Sequence, residues 1–191
     1  MRPVDKALYL ARLEQQVESH IQKAVQHFQN LDEITLDWPS PTGGWSITQC
    51  LAHLNSYGHY YLPRLKQDLE KPLAQSRINV FQSSWLGAYL ARLMDPQTSR
   101  RKFKAHKRHQ PARGLPAQQV VAEFINQQEE ILCLLRQAEQ IDVQAIRIPL
   151  SIAPWVRLPL GDILLFLVMH NERHIQQANQ CLQNIPLSRN K

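Results

Sequence analysis

Apolar residues recur at steps of three and four from Leu10 through Leu13, Val17, Ile21, Ala24 and Phe28 to Leu31, the period of one buried stripe along an α-helix. A first long helix is predicted there. Residues 32–44 then bring Asp, Pro, Ser, Thr and the pair Gly43-Gly44, which favour turns over helix. Ser46 followed three residues later by Gln49 is the signature of a capping box and opens a second helix. Its stripe is Ile47, Cys50, Leu51, Leu54 and Tyr61, with His53, Tyr57 and Tyr60 in the adjacent seam. It is expected to reach Leu69 before Pro72, with Pro63 a candidate kink.

A shorter helical pattern lies between Phe81 and Met94, and the Pro-rich, basic stretch from Asp95 to Pro116 reads as a long loop. A third long helix is predicted from about Pro116 to Ala138, with Val121, Phe124, Ile131 and Leu135 on one face and Gln128 within the same stripe. Pro116 suits a first helical turn. Pro149, Pro154 and Pro159 interleave apolar residues over 142–159, so that segment is expected to lie extended against the helices, and no strand is assigned to it. The last helix, from about Leu160 to Leu182, is nearly all apolar in its first half, which implies burial on most sides. Four long helices without convincing alternating strands predict an all-α fold, a four-helix bundle with a short extra helix and long loops.

Composition narrows the class. A chain of 191 residues suits one domain, 1–191, and 43% hydrophobic with 20% charged residues is ordinary for a compact soluble protein. Cys50, Cys133 and Cys181 are far apart and odd in number, so no disulfide framework is indicated and a reducing, cytoplasmic location is expected. The N-terminal segment lacks an uninterrupted apolar core of the kind a secretory signal carries. The longest apolar run, Ile163 to Met169, falls far short of the ~20 residues that cross a bilayer, so no membrane association is expected. A net charge of +6 steers anions weakly and says nothing of fold.

The chemistry-bearing feature is a pair of histidines, His170 and His174, one helical turn apart in the most apolar stretch of the chain. Residues at i and i+4 are neighbours on a helix face, so two imidazoles there can converge on one ion, and His53 in the second helix could add a third from across a bundle. Buried imidazoles can equally be satisfied by hydrogen bonds alone, and spacing leaves both readings open. His20, His27, His59, His106 and His109 fall on faces or loops expected to be solvated. Glu172 and Arg173 lie between the histidines of the last helix and should point elsewhere, into a solvated or interhelical ion pair.

The segments GGWSITQCLAHL, with Trp45, Ser46, Leu51, His53 and Leu54, and HNERHIQQ, with His170, Arg173, His174 and Gln177, resemble the DinB/YfiT-like superfamily of metalloenzymes. The similarity covers essentially the whole chain. It implies a four-helix bundle and a three-histidine divalent-metal site mapping onto His53, His170 and His174. Three imidazoles plus an open position is a catalytic rather than a structural arrangement, and imidazole suits zinc and nickel alike. Gln177, on the face of both histidines of the last helix, and Tyr57, one turn beyond His53, are candidates to orient ligands or substrate; the catalytic residues are unknown. Relatives implied by the resemblance include transferases that use low-molecular-weight thiols and a thiol-dependent isomerase. A metal-dependent S-transferase or hydrolase acting on a small molecule, with a thiol cofactor, is therefore expected.

A rival reading rests on residues 98–113. Arg100, Arg101, Lys102, Lys104, Lys107, Arg108 and Arg113 lie there with no acidic residue. Such a cluster could make the protein a non-catalytic, metal-stabilised module that contacts a polyanion. Only Phe103 interleaves the charges, and no recognition helix or aromatic platform accompanies it, which disfavours nucleic acid and leaves a loop that attracts an anionic substrate. Apolar positions around Trp85 and Trp155 lean towards a homodimer.

Overall fold

The computed structural model describes residues 2–40, 43–71, 78–99 and 104–185. Four long helices dominate: α1 (Lys6–His27), α3 (Ile47–Leu69), α5 (Ala117–Ala138) and α6 (Leu160–Gln183), with the shorter α2 (Glu33–Leu36) and α4 (Trp85–Met94) between them. The predicted all-α bundle is what forms. No described helix is long and apolar enough to cross a membrane. The capping box appears as predicted: Ser46 Oγ accepts from Gln49 N–H at 3.1 Å and Gln49 Oε1 accepts from Ser46 N–H at 3.2 Å. Pro63 sits inside α3 without ending it.

Three local expectations change. The first stripe does not stay helical to Leu31; α1 stops at His27, with Phe28 as its C-cap and fully buried. The predicted 32–44 loop contains α2, because Asp32 accepts from Thr35 N–H and so caps one short turn. The neighbouring Glu33 then caps a different helix, accepting from Ala117 N–H at 2.8 Å and Gln118 N–H at 3.1 Å. Pro116, at the head of α5, makes no side-chain cap bond, and a carboxylate brought from elsewhere satisfies donors that a helix start leaves free.

The third change is a correction. Residues 142–159, to which no strand was assigned, form an antiparallel hairpin of β3 (Arg147–Leu150) and β4 (Ala153–Pro159), pairing Arg147 with Pro159 and Ile148 with Leu158 and shifting register at Pro149/Leu150. The prolines are tolerated because a two-stranded ribbon is all edge, where a missing N–H costs little. A second small pair, β1 (Val4–Asp5) with β2 (Val80–Phe81), ties the N-terminus to the segment before α4.

The core divides into two apolar clusters. One gathers Leu10, Leu13, Tyr61, Leu65, Leu135, Leu160 and Leu164, and the other Ala24, Phe28, Leu51, Phe124, Ile175 and Ala178. Between them runs a layer of buried polar residues drawn from all four long helices: His20, His53 and Asn55, Gln127 and Gln128, and His170, Asn171 and His174. Gln128, placed in the α5 stripe by its spacing, meets Asn171 across the bundle, accepting from its Nδ2 at 2.9 Å.

The start of α6 is anchored by buried Asp162, which accepts from Ser83 Oγ, from Ser84 N–H at 3.0 Å and from Ser84 Oγ at 2.6 Å. Ser84 Oγ in turn accepts from Gly87 N–H at 3.0 Å, so α4 and α6 share one cap. Gly87 permits this approach, since a Cβ there would fall 2.1 Å from Asp162 Cγ. Alanine normally gains about 1 kcal/mol over glycine inside a helix. Gly87→Ala is expected instead to lose about 1–3 kcal/mol through overpacking against a carboxylate that cannot move away. Urea denaturation with far-ultraviolet dichroism measures it, and a stabilised variant would contradict the close packing.

Candidate metal centre

α3 and α6 bring three imidazoles to one point inside the polar layer. One ring nitrogen from each of His53, His170 and His174 lies within 4.8 Å of the others. His53 Nε2 and His170 Nε2 are 3.2 Å apart, close to the ~3.4 Å that tetrahedral zinc with ~2.05 Å bonds imposes on two nitrogens. The i, i+4 spacing places His170 and His174 side by side, with ring centroids 4.8 Å apart. His53 reaches the same point because the capping box fixes where α3 begins.

Proton positions follow from the partners. His53 Nδ1 lies 2.6 Å from the His109 carbonyl, which can only accept, so Nδ1 carries the proton and Nε2 turns a lone pair to the cluster. His174 Nδ1 donates to Gln177 Oε1 at 3.0 Å, leaving its Nε2 free. His170 Nδ1 is buried without a hydrogen-bond partner among the described residues. Neutral imidazoles, two of them with the outer N–H held by oxygen and the inner lone pair turned to the cluster, match the donor set a divalent transition metal requires. The residues present fit a metal ion.

Exposure is 3% for His53, 4% for His170 and 9% for His174, so the cluster comes nearest to solvent on the His174 side. Trp45 closes that side, stacking on His174 at 5.6 Å and tilting over His53 at 4.8 Å between centroids. Gln177 is half-buried beside it. On the inner side, Tyr57 meets His170 edge-on at 4.5 Å and Phe166 stacks on it at 5.4 Å. The structure thus brings both proposed orienting residues to the cluster: Gln177 by hydrogen bond, Tyr57 by ring contact.

Two histidines expected to be solvated are buried. His20 is fully enclosed and bonds Glu172 Oε2 at 3.0 Å, because the polar layer gives it a carboxylate across the bundle. His109 is buried because its ring stacks on Tyr57 at 3.8 Å and its Nδ1 meets Ser56 Oγ at 2.9 Å. These contacts pin its carbonyl onto His53. No periodicity could have exposed His109, which lies on a one-turn 3-10 element, Lys107–His109, inside the basic stretch. Glu172 points away from the cluster, as its position predicts, to pair with Lys23 as well as His20. Arg173 donates to the carbonyls of Leu93 and Ser99. Of the basic stretch, Arg100, Arg101, Lys102 and Phe103 lie outside the described residues; Lys104, Lys107, Arg108 and Arg113 are exposed.

Burial is the leading cause that holds every one of these imidazoles neutral. It takes His170 well below the ordinary value, with His174 and His53 adding to the effect, takes His174 down to about 3 and His109 to about 4, and lowers His53 and His20 too. In the unfolded chain each returns to about 6.5, so below that pH the unfolded state binds more protons than the fold does. The metal-free protein is therefore expected to lose stability steadily from pH 6.5 towards pH 4, by up to about 1.4 kcal/mol per pH unit for each such group. His174→Gln should flatten the slope in denaturation followed across that range; a stability independent of pH there would contradict the buried neutral cluster.

The sequence pattern described as the DinB superfamily matches residues 16–178, a span that contains all three cluster histidines, Trp45, Gln177 and the bundle apart from the first turns of α1 and the last turn of α6. No curated protein and no solved structure matches the chain. With the fold, the three-histidine cluster and the matched span in agreement, the chain belongs to the DinB superfamily.

Proposed function

We propose that His53, His170 and His174 hold one divalent transition metal ion, zinc or nickel, and that the protein is a metal-dependent enzyme acting on a small molecule. The chemistry favoured is S-transfer from a low-molecular-weight thiol, or hydrolysis. The observation that carries the proposal is the convergence of three neutral imidazoles, two of them with their outer N–H held by oxygen. Three protein donors leave room for a non-protein ligand, which is the feature of catalytic sites. A metal bound there would supply Lewis acidity towards a thiol, a water or a substrate oxygen.

The chain's own groups have separate tasks. His109 and Gln177 orient His53 and His174. Trp45, Tyr57 and Phe166 exclude water around the imidazoles, which strengthens polar interactions inside. The Tyr57 hydroxyl, pushed up to about 12 chiefly by burial, stays protonated and can donate to a substrate oxygen. A reacting thiol has to be brought in: Cys50 and Cys181 are buried with their thiols pushed up by burial, and Cys133 sits on an exposed face of α5. The exposure of Lys104, Lys107, Arg108 and Arg113 favours a second reading, a polyanion-binding module whose salt-sensitive binding would survive loss of the histidines.

Metal content tests the first of them. Inductively coupled plasma mass spectrometry of the untagged protein is expected to find near-stoichiometric zinc or nickel, absent from the His170→Ala, His174→Ala double variant, and chelator should lower the melting temperature of the wild type alone. No metal in the wild type even after reconstitution sinks the enzyme proposal. Gln177→Leu, which replaces the amide whose oxygen holds His174 Nδ1, is expected to retain the fold and weaken metal affinity about 10-fold or more in competition with a chromophoric chelator. Unchanged affinity would remove Gln177 from the site.

A further inference from the structure

A cleft of about 230 Å³ opens between α3 and the Lys107–His109 turn, lined by Ser56, His59, Tyr60, Arg64, Arg108 and His109. None of the three cluster imidazoles lines it. Two guanidinium groups converge on one phenol ring there, Arg64 Cζ at 3.8 Å and Arg108 Cζ at 5.0 Å from the Tyr60 centroid. Each is tethered through a single nitrogen, Arg64 Nη1 to the Tyr60 carbonyl at 2.5 Å and Arg108 Nη1 to the Ser151 carbonyl at 3.2 Å. Neither makes an ion pair with a carboxylate among the described residues. Glu123, which bonds a lining residue, is already engaged by His59 Nε2. Two positioned guanidiniums without a counter-ion present planar N–H forks, the geometry that carboxylates and phosphates fill.

His109 adds a complementary group. The single hydroxyl proton of Ser56 goes to the His53 carbonyl at 2.7 Å, so Ser56 Oγ can only accept from His109 Nδ1 at 2.9 Å. His109 Nε2 is then a lone-pair acceptor, and it is buried without a partner among the described residues. A buried acceptor left unpaired is costly, and a ligand that carries a donor beside its negative charge would satisfy it.

We propose that this cleft binds a small oxyanion bearing its own O–H or N–H donor, a hydrogen phosphate or a hydroxy- or amino-carboxylate, with Arg64 and Arg108 taking the charge and His109 Nε2 accepting the donor. The site does not depend on a metal, although the turn that frames it also supplies the carbonyl that orients His53.

Isothermal titration of the full chain with inorganic phosphate and, separately, with lactate tests this at constant ionic strength, on the protein as purified and after chelator treatment. Saturable one-to-one binding of at least one probe is expected, unchanged by chelator, and the stronger probe identifies the class of anion. Arg64→Gln and Arg108→Gln should each weaken binding about tenfold, since charge-assisted bonds are the stronger class. Arg→Lys at the same positions keeps charge and solubility while losing the planar fork, and is expected to weaken binding as well should a Gln variant prove unfolded by dichroism. Absence of saturable binding by both probes, binding indifferent to all four substitutions, or binding abolished by chelator overturns the proposal. Because the titration is also run without metal, its failure leaves the metal proposal standing, and the reverse holds too.

Discussion

Everything near the centre of this bundle is arranged around the cost of keeping imidazoles out of water. Two apolar clusters are separated by a layer of buried histidine, asparagine and glutamine, and each polar atom in that layer needs a partner. Most of the partners come from another helix. Asn171 donates to Gln128, Asn55 donates to the Val120 carbonyl at 3.0 Å, and His20 meets Glu172. The layer thereby fixes the register of the four helices against one another in a way that the apolar clusters, being non-directional, do not.

Within that layer the three clustered histidines differ from the others. Asn171 and His20 find amide or carboxylate partners, whereas His53 and His170 turn nitrogen towards nitrogen at 3.2 Å. Two facing nitrogens can share at most one proton, and the His109 carbonyl has already drawn His53's proton to the far side of its ring. Imidazole nitrogens gathered by two packed helices with too few hydrogen-bond partners are poor economy for stability alone and a good arrangement for gathering a cation. Burial keeps the groups neutral, with neighbouring imidazoles adding to the effect, and neutral is the state in which imidazole is a ligand.

The turn at His109 couples two surfaces. Its ring is wedged against Tyr57, its carbonyl faces the three-histidine cluster, and its neighbour Arg108 faces the cleft above Tyr60. A basic stretch that looks like solvated loop along the chain is, at this turn, a strap across α3. Its charged side chains stay outside while one backbone oxygen reaches in, and a backbone carbonyl carries no sequence signal.

The amino-acid sequence by itself determined the four long helices, the Ser46 capping box and the pairing of His170 with His174, because helical period, caps and i, i+4 neighbours are local properties set within one or two turns. It also carried His53 and Gln177, through motifs whose order along the chain matches the DinB superfamily. Only the tertiary structure decided that residues 142–159 pair as a hairpin, that Glu33 caps α5 from 84 positions away, and that His20 and His109 are interior. Each of those depends on a partner distant in sequence, and burial is a property of what packs against a residue rather than of the residue's own neighbours along the chain.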